Sequence, residues 1–177
     1  MSTSRLAEIQ KVKLVSLFIA KNNPPSLAYV SQMAVAAGLS YLIARLFGLP
    51  EAYWAPMSTM TVTQSNFDAA LPVSLQHFAG TAIGAAVGAV AATYFHENVW
   101  SFSAAVFLIG LLCVALRVET SAYRYASITL VIVMLVTRST SAEAVAIHRF
   151  VEVSIGITVA LVLFVLWPGA GGTRRVT

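Results

Sequence analysis

From Leu27 to Ala44 the chain runs for 18 residues without a charged side chain. At a rise of 1.5 Å per residue, a helix of that length covers about 27 Å, close to the ~30 Å hydrocarbon thickness of a bilayer. A soluble fold would have to bury such a helix on every side, and the rest of the sequence offers little to bury it with. Its 177 residues are 58% hydrophobic and 10% charged, with a mean hydropathy of +0.80, whereas ordinary soluble domains carry about 25% charged residues. The composition predicts an all-α integral membrane protein.

Six apolar segments can be traced. Span one covers 27–49, between the Asn22-Asn23-Pro24-Pro25-Ser26 breaker and the Pro50-Glu51 turn. Span two opens on Tyr53-Trp54, an aromatic pair of the kind that sits at membrane interfaces; it ends by Ser65, with Asp68 and Pro72 closing it. Span three runs over about 73–94, with His96-Glu97-Asn98 after it. Span four covers 100–116, and Arg117, Glu119 and Arg124 fill the next loop. Span five covers about 125–136 and span six about 150–167. Several are short enough for tilted or partly re-entrant helices.

Ahead of the spans, Arg5 to Lys21 interleaves Glu8, Lys11 and Lys13 with Leu6, Ile9, Val12, Val15 and Phe18. It lacks an uninterrupted hydrophobic region and a small-residue cleavage site, so it is not a cleavable signal; it reads as an amphipathic interfacial helix. The chain divides into a basic N-terminal segment 1–26, a membrane domain 27–168 and a basic tail 169–177. Six spans put both termini on one side. Arg5, Lys11, Lys13, Lys21, Arg117, Arg124, Arg174 and Arg175 share that side, while Arg138 and Arg149 fall in opposite loops. This asymmetry predicts cytoplasmic termini in an inner membrane. The net charge of +4 is accounted for by lipid headgroups and requires no nucleic-acid partner. The lone Cys113 lies in an apolar run and forms no motif.

Sliding the chain by 72 positions aligns Gly38 with Gly110, Arg45 with Arg117, Tyr53 with Tyr125, Phe78 with Phe150, Ile83 with Ile155 and Gly84 with Gly156. Rare residue types thus fall at matched depths at one offset. Three spans is an odd number, so the repeats, about 27–96 and 99–168, are expected to be inverted in the membrane, as in many transporters. Inversion would place Arg45 and Arg117 on opposite sides of the midplane. Charges within spans are expensive and tend to face a cavity or a partner, although near a helix end they can also reach headgroups.

Gly80, Gly84 and Gly88 stand four apart in "HFAGTAIGAAVGAV", residues His77 to Val90. A phosphate-binding loop would need a lysine and a hydroxyl after the last glycine and a strand before the first. None is present. Small residues at this spacing let helix backbones approach closely in lipid. Because Gly84 has a glycine mate in Gly156, these two are expected to mark where spans three and six cross.

The stretch "YWAPMSTMTVTQSNFDAALPVSLQHFAGTAIGAAVG", Tyr53 to Gly88, resembles the fusaric acid resistance and aromatic acid exporter family. An aromatic pair opens a Thr-rich span, a short polar loop follows, and Gly80-Thr81, Gly84 and Gly88 supply a Gly-Thr-x-x-Gly-x-x-x-Gly helix. Arg149, Gly156 and Trp167-Pro168 are similar to the family's sixth helix. The resemblance implies a six-helix module of three-plus-three inverted repeats in an inner membrane, handling organic anions such as aromatic carboxylates. It also implies arginines along the path, as in the related plant malate channels. The chain departs from the pattern in carrying His77 where relatives often have a stronger base. It also lacks the second membrane module of larger relatives, which makes a homodimer the expectation.

The expected path residues are Arg45, Arg117, His77, Arg149, Thr59, Thr61, Thr63, Gln64 and Tyr53, with Gly80, Gly84, Gly88 and Gly156 as packing positions. Ser58, Thr59, Thr61, Thr63, Gln64 and Ser65 make span two unusually polar; such hydroxyls can line a path, bond their own helix or join neighbouring helices. Pro56 should free a backbone carbonyl there. Arg149 and Glu152, three apart at the start of span six, can pair along the helix. No metal-ligand spacing and no nucleophile, base and orienter set is visible, so neither a cofactor, a metal nor an enzymatic activity is expected. The functional expectation is export or conduction of small organic anions. The competing reading is a non-transporting assembly module whose glycine helix packs against a partner.

Overall fold

The computed structural model describes residues 26–64, 66–95, 98–136 and 140–167. The amphipathic helix expected over Arg5 to Lys21, the tail 169–177, and Ser65, His96, Glu97, Arg138 and Pro168 lie outside the described residues. Those described form six helices and no strand: α1 (Leu27–Leu46), α2 (Trp54–Val62), α3 (Phe67–Tyr94), α4 (Val99–Ala115), α5 (Thr120–Leu135) and α6 (Ala142–Leu166). α1, α3 and α6 are long and apolar enough to cross a membrane. α4 and α5 are apolar but shorter, and α2 has nine residues. The described residues are those of an all-helical, multi-pass membrane protein.

Capping residues set the helix starts, and they move two of them earlier than hydropathy suggests. Asn66 Oδ1 accepts from the Ala69 amide at 2.8 Å, and Asp68 in the first turn complements the positive helix end. Asp68 and Pro72 therefore lie inside α3 rather than closing span two. His77, expected about one turn into span three, sits about three turns into α3. Likewise Ser141 Oγ accepts from the Ala144 amide, so α6 begins at Ala142 and not near Phe150. Arg149, expected in a loop, is two turns inside α6 and buried. Arg124 is inside α5, not in the preceding loop.

α1 and α4 end alike. Gly48 has φ 69° and Arg117 φ 53°. Leu49 N donates to Ala44 O at 3.1 Å and Val118 N to Cys113 O at 2.9 Å. Each is a helix stop with one left-handed residue whose successor reaches back to a carbonyl of the last turn.

The Tyr29 hydroxyl donates to Thr63 O and the Phe67 and Phe164 rings meet, so the start of α1, the end of α2, the start of α3 and the end of α6 share one end of the bundle. Thr93 of α3 donates to Glu143 of α6 at the other end. α3 and α6 thus run antiparallel, and both ends of the described chain lie at the same end.

Close approach fixes the interior. A Cβ on Gly80 would strike Ala122 O, and one on Gly84 would strike Ala126 O and lie 2.9 Å from its carbonyl carbon. One on Gly88 would lie 3.0 Å from Val133 Cβ. These contacts seat α3 on α5. On the other side a Cβ on Gly156 would strike Ala55 O and lie 2.8 Å from Ser58 Cβ, which seats α6 on α2. The expected meeting of Gly84 with Gly156 does not occur, because each glycine faces a different partner helix. α3 and α6 meet instead through Phe78 and Phe150, whose rings are 5.0 Å apart.

Candidate functional site

Where α3 and α6 meet, the interior is polar. Ser58 and Thr59 of α2, Ser74, His77 and Thr81 of α3, Thr129 of α5, and Arg149 and Glu152 of α6 are all buried. Arg149 is 5% exposed and Glu152 1%. A charged side chain at the centre of a membrane helix costs roughly 2.5–3.5 kcal/mol on insertion scales, so the layer is held by compensating contacts.

Several of these contacts are explicit. The Arg149 guanidinium lies 4.0 Å over the Trp54 ring, a cation-π geometry that strengthens as water is removed. Trp54 Nε1 in turn donates to Glu51 Oε2 at 2.8 Å, and its ring tilts against Tyr53. Across the layer, the His77 ring stands edge-on to Tyr125 at 4.1 Å, and its Nε2 is 3.3 Å from Ser58 Oγ. His77 of α3 thus meets an aromatic ring of α5, and Arg149 of α6 meets an aromatic ring of α2.

The threonine hydroxyls of α2 and of Thr63 just after it bond backbone. Thr59 Oγ1 donates to Ala55 O and to Gly156 O, each at 3.0 Å, which joins α2 to α6. Thr61 donates to Met57 O and Thr63 to Thr59 O, both at 2.7 Å. Pro56 frees no carbonyl, contrary to the sequence expectation. It stands in the first turn of α2, where the amide is unsatisfied in any helix, and Ala52 O accepts from the Ala55 amide.

Of the sequence-predicted residues, the structure brings together His77, Arg149 and Thr59, with Thr63 buried a turn beyond Thr59 and Gln64 half-buried. It does not bring in Arg45 and Arg117, exposed at the ends of α1 and α4, nor Thr61 and Tyr53, exposed on the surface of α2 and the turn before it. The expected path residues include neither Ser74 nor Thr81, which the sequence offers only as part of the Gly-Thr motif. Their spacing was visible: Ser74, His77, Thr81, Gly84 and Gly88 follow one another at alternating steps of three and four, which keeps them on one buried face.

Ser74 Oγ, His77 Nδ1, Thr81 Oγ1 and Gln32 Oε1 of α1 are buried without a hydrogen-bond partner among the described residues. Leaving such a group unpaired costs about 1–3 kcal/mol. Among the described residues no three His, Cys, Asp or Glu side chains group as metal ligands do.

No curated protein and no solved structure matches the chain. The sequence profile of the family described as fusaric acid resistance protein-like matches residues 39–163, well over half of the chain. That match begins within α1, stops three residues short of the end of α6 and takes in every residue of the polar layer. The chain therefore belongs to the fusaric acid resistance protein-like family of membrane transport proteins.

Proposed function

We propose that the protein exports or conducts small organic anions, aromatic carboxylates foremost, through the layer where α3 and α6 meet. The observation that carries this reading is Arg149: a permanent cation, 5% exposed, inside an apolar helix, with aromatic rings on both sides of its layer. A buried cation beside aromatic faces suits a carboxylate on a ring. His77 is the second polar group of the layer, and Thr59, Thr63 and Gln64 extend it along α2. Arg45 and Arg117 end helices that point in opposite directions, so they serve as attracting charges at the two mouths. Tyr53 and Thr61 face lipid or the partner of a homodimer. The protein is placed in the inner membrane with both termini cytoplasmic, as the basic residues favour.

The three-plus-three inverted repeat has support from matched contacts. Gly84 on Ala126 resembles Gly156 on Ala55, and His77 on Tyr125 resembles Arg149 on Trp54, with the first residue of each contact offset by 72 and its partner by 71. Phe78 touches its own mate, Phe150, as a residue on a twofold axis must. The non-transporting reading is weakened because all four packing glycines find their partners within the chain.

The test is uptake of labelled p-hydroxybenzoate by proteoliposomes. Removing a charge-assisted contact of about 1.5–3 kcal/mol corresponds to a tenfold or greater loss. Arg149→Gln is therefore expected to lower uptake at least about tenfold, and Arg45→Gln about twofold. Wild-type protein that moves no p-hydroxybenzoate, malate or other organic anion would overturn the reading.

A further inference from the structure

Apart from Ser58, Thr93 and Ser121, which pair with other side chains, the Ser and Thr hydroxyls of the helices and of Thr63 that have a bond resolved or explicitly missing fall into two groups. Ser31, Ser40, Thr59, Thr61, Thr63, Ser127, Ser154 and Thr158 all donate to a carbonyl three or four residues back in their own chain. That is the default for a hydroxyl in a membrane helix, because no water competes for it. Ser74 and Thr81 depart from it. Both are among the most buried side chains, at 1% and 0% exposed, and neither hydroxyl finds a partner among the described residues.

The nitrogen between them behaves the same way. His77 uses Nε2 toward Ser58 and leaves Nδ1 buried and unpartnered. At 100° per residue the three side chains fall within about 60° of one face of α3, with Ser74 and Thr81 two turns or about 10 Å apart and His77 between them. When the Ser58 hydroxyl donates to Nε2, the proton of the neutral ring sits on Nδ1. The face then offers two O–H donors and one N–H donor in a row, and no fixed charge.

We propose that Ser74, His77 and Thr81 are the carboxylate-binding stripe of the transport path, and that Arg149 supplies the field rather than the direct ligand. The proposal rests on the organic-anion reading above. Arg149 lies against Trp54 and is one turn from the buried Glu152, so its charge already has company within the fold. The α3 groups have donors to give and, among the described residues, nothing to give them to. Neutral donors also suit transport, since an anion held by hydroxyls and an imidazole N–H leaves more readily than one paired with a guanidinium.

The experiment measures the concentration dependence of p-hydroxybenzoate uptake by proteoliposomes for wild type, the double variant Ser74→Ala with Thr81→Val, and Thr81→Ser. The double variant is expected to raise KM at least tenfold with maximal rate within twofold, and Thr81→Ser to stay within twofold of wild type in both. Its thermal midpoint in detergent should be unchanged or higher, because apolar replacements remove two unpaired groups. An unchanged KM in the double variant overturns the stripe while leaving the anion reading intact. A wild type without anion flux overturns both. If the double variant does not fold, Thr81→Val alone is set against Thr81→Ser: a threefold or larger difference in KM supports the stripe. Equal KM values, or a Thr81→Val that cannot fold, assign Thr81 to structure and overturn it.

Discussion

The two helix pairs at the centre of the module, α3 on α5 and α6 on α2, use one packing device with different chemistry. In both, a glycine lets the partner's carbonyl oxygen come where a Cβ would stand: Gly84 under Ala126 and Gly156 under Ala55. In both, the residue seven positions earlier, His77 or Arg149, meets an aromatic ring of the partner helix. The charges are not shared. Where α6 has Arg149 and Glu152, α3 has His77 and Gly80. Backbone geometry is common to the halves because the crossing demands it, whereas the side chains in the layer are free to differ. In the proposed path, the α6–α2 pair then carries fixed charge and the α3–α5 pair neutral donors, a division that two identical pairs could not provide.

The largest expected effect breaks the packing itself. Gly84→Leu and Gly156→Leu should each eliminate monodisperse protein on size-exclusion chromatography, since the obstructing atoms are backbone and cannot rotate away. Gly38→Ala, with nothing within 4 Å of the added Cβ, and Gly110→Ala, with its nearest contact at 3.5 Å, should behave as wild type. A Gly156→Leu protein that folds while Gly84→Leu does not would show that the two crossings are unequal in weight, and the equivalence of the halves would fail with it.

Much of this was legible in the sequence, and the rest was hidden for definite reasons. The apolar runs, the glycine spacing and the offset of 72 are local patterns, and a helix displays them directly. The starts of α3 and α6 were misplaced because hydropathy marks where a helix becomes apolar, whereas Asn66 and Ser141 mark where it begins. That error put Arg149 in a loop and His77 at an edge, and so hid that they share one layer. The partner of each glycine was beyond reach for another reason: a small residue announces a close approach but not which helix makes it. The offset named Phe78 and Phe150 as mates, yet only the tertiary arrangement shows that they touch. Ser74 and Thr81 looked like ordinary hydroxyls, because whether a hydroxyl bonds its own helix depends on a rotamer.

A middle-sized effect tests the asymmetry between the interfaces. Thr59 Oγ1 donates across the α2–α6 contact to Gly156 O, whereas the nearest atoms to Gly84 in the α3–α5 contact are all backbone atoms of Ala126. Thr59→Val keeps the shape and removes the bond, and interhelical bonds of this kind average about 0.6 kcal/mol in membrane proteins. Unfolding in mixed micelles should register a loss of that order, rising to about 1.7 kcal/mol at most. No loss at all would mean that close packing without this bond holds α6 to α2, as close packing holds α3 to α5, and the two interfaces would be alike after all.

A further comparison separates the ends of α1 and α4, which share a stop motif but fill it differently. A left-handed residue is needed at both, and Gly48 takes that conformation without a Cβ penalty. Arg117 takes it at φ 53° with a full side chain, which costs an L-residue about 1–2 kcal/mol relative to the ordinary helical region. Arg117→Gly should therefore stabilise the fold by up to about 1 kcal/mol, the gain reduced by glycine's greater freedom when unfolded, and Gly48→Ala should destabilise it by about as much. Both positions are exposed, so packing does not confound the comparison. Measured together, the pair also tests function: if Arg117→Gly is more stable but takes up p-hydroxybenzoate more slowly at low ionic strength, the strained arginine is retained for its charge at the mouth. Unchanged uptake across salt concentrations would leave it only the role of a helix stop.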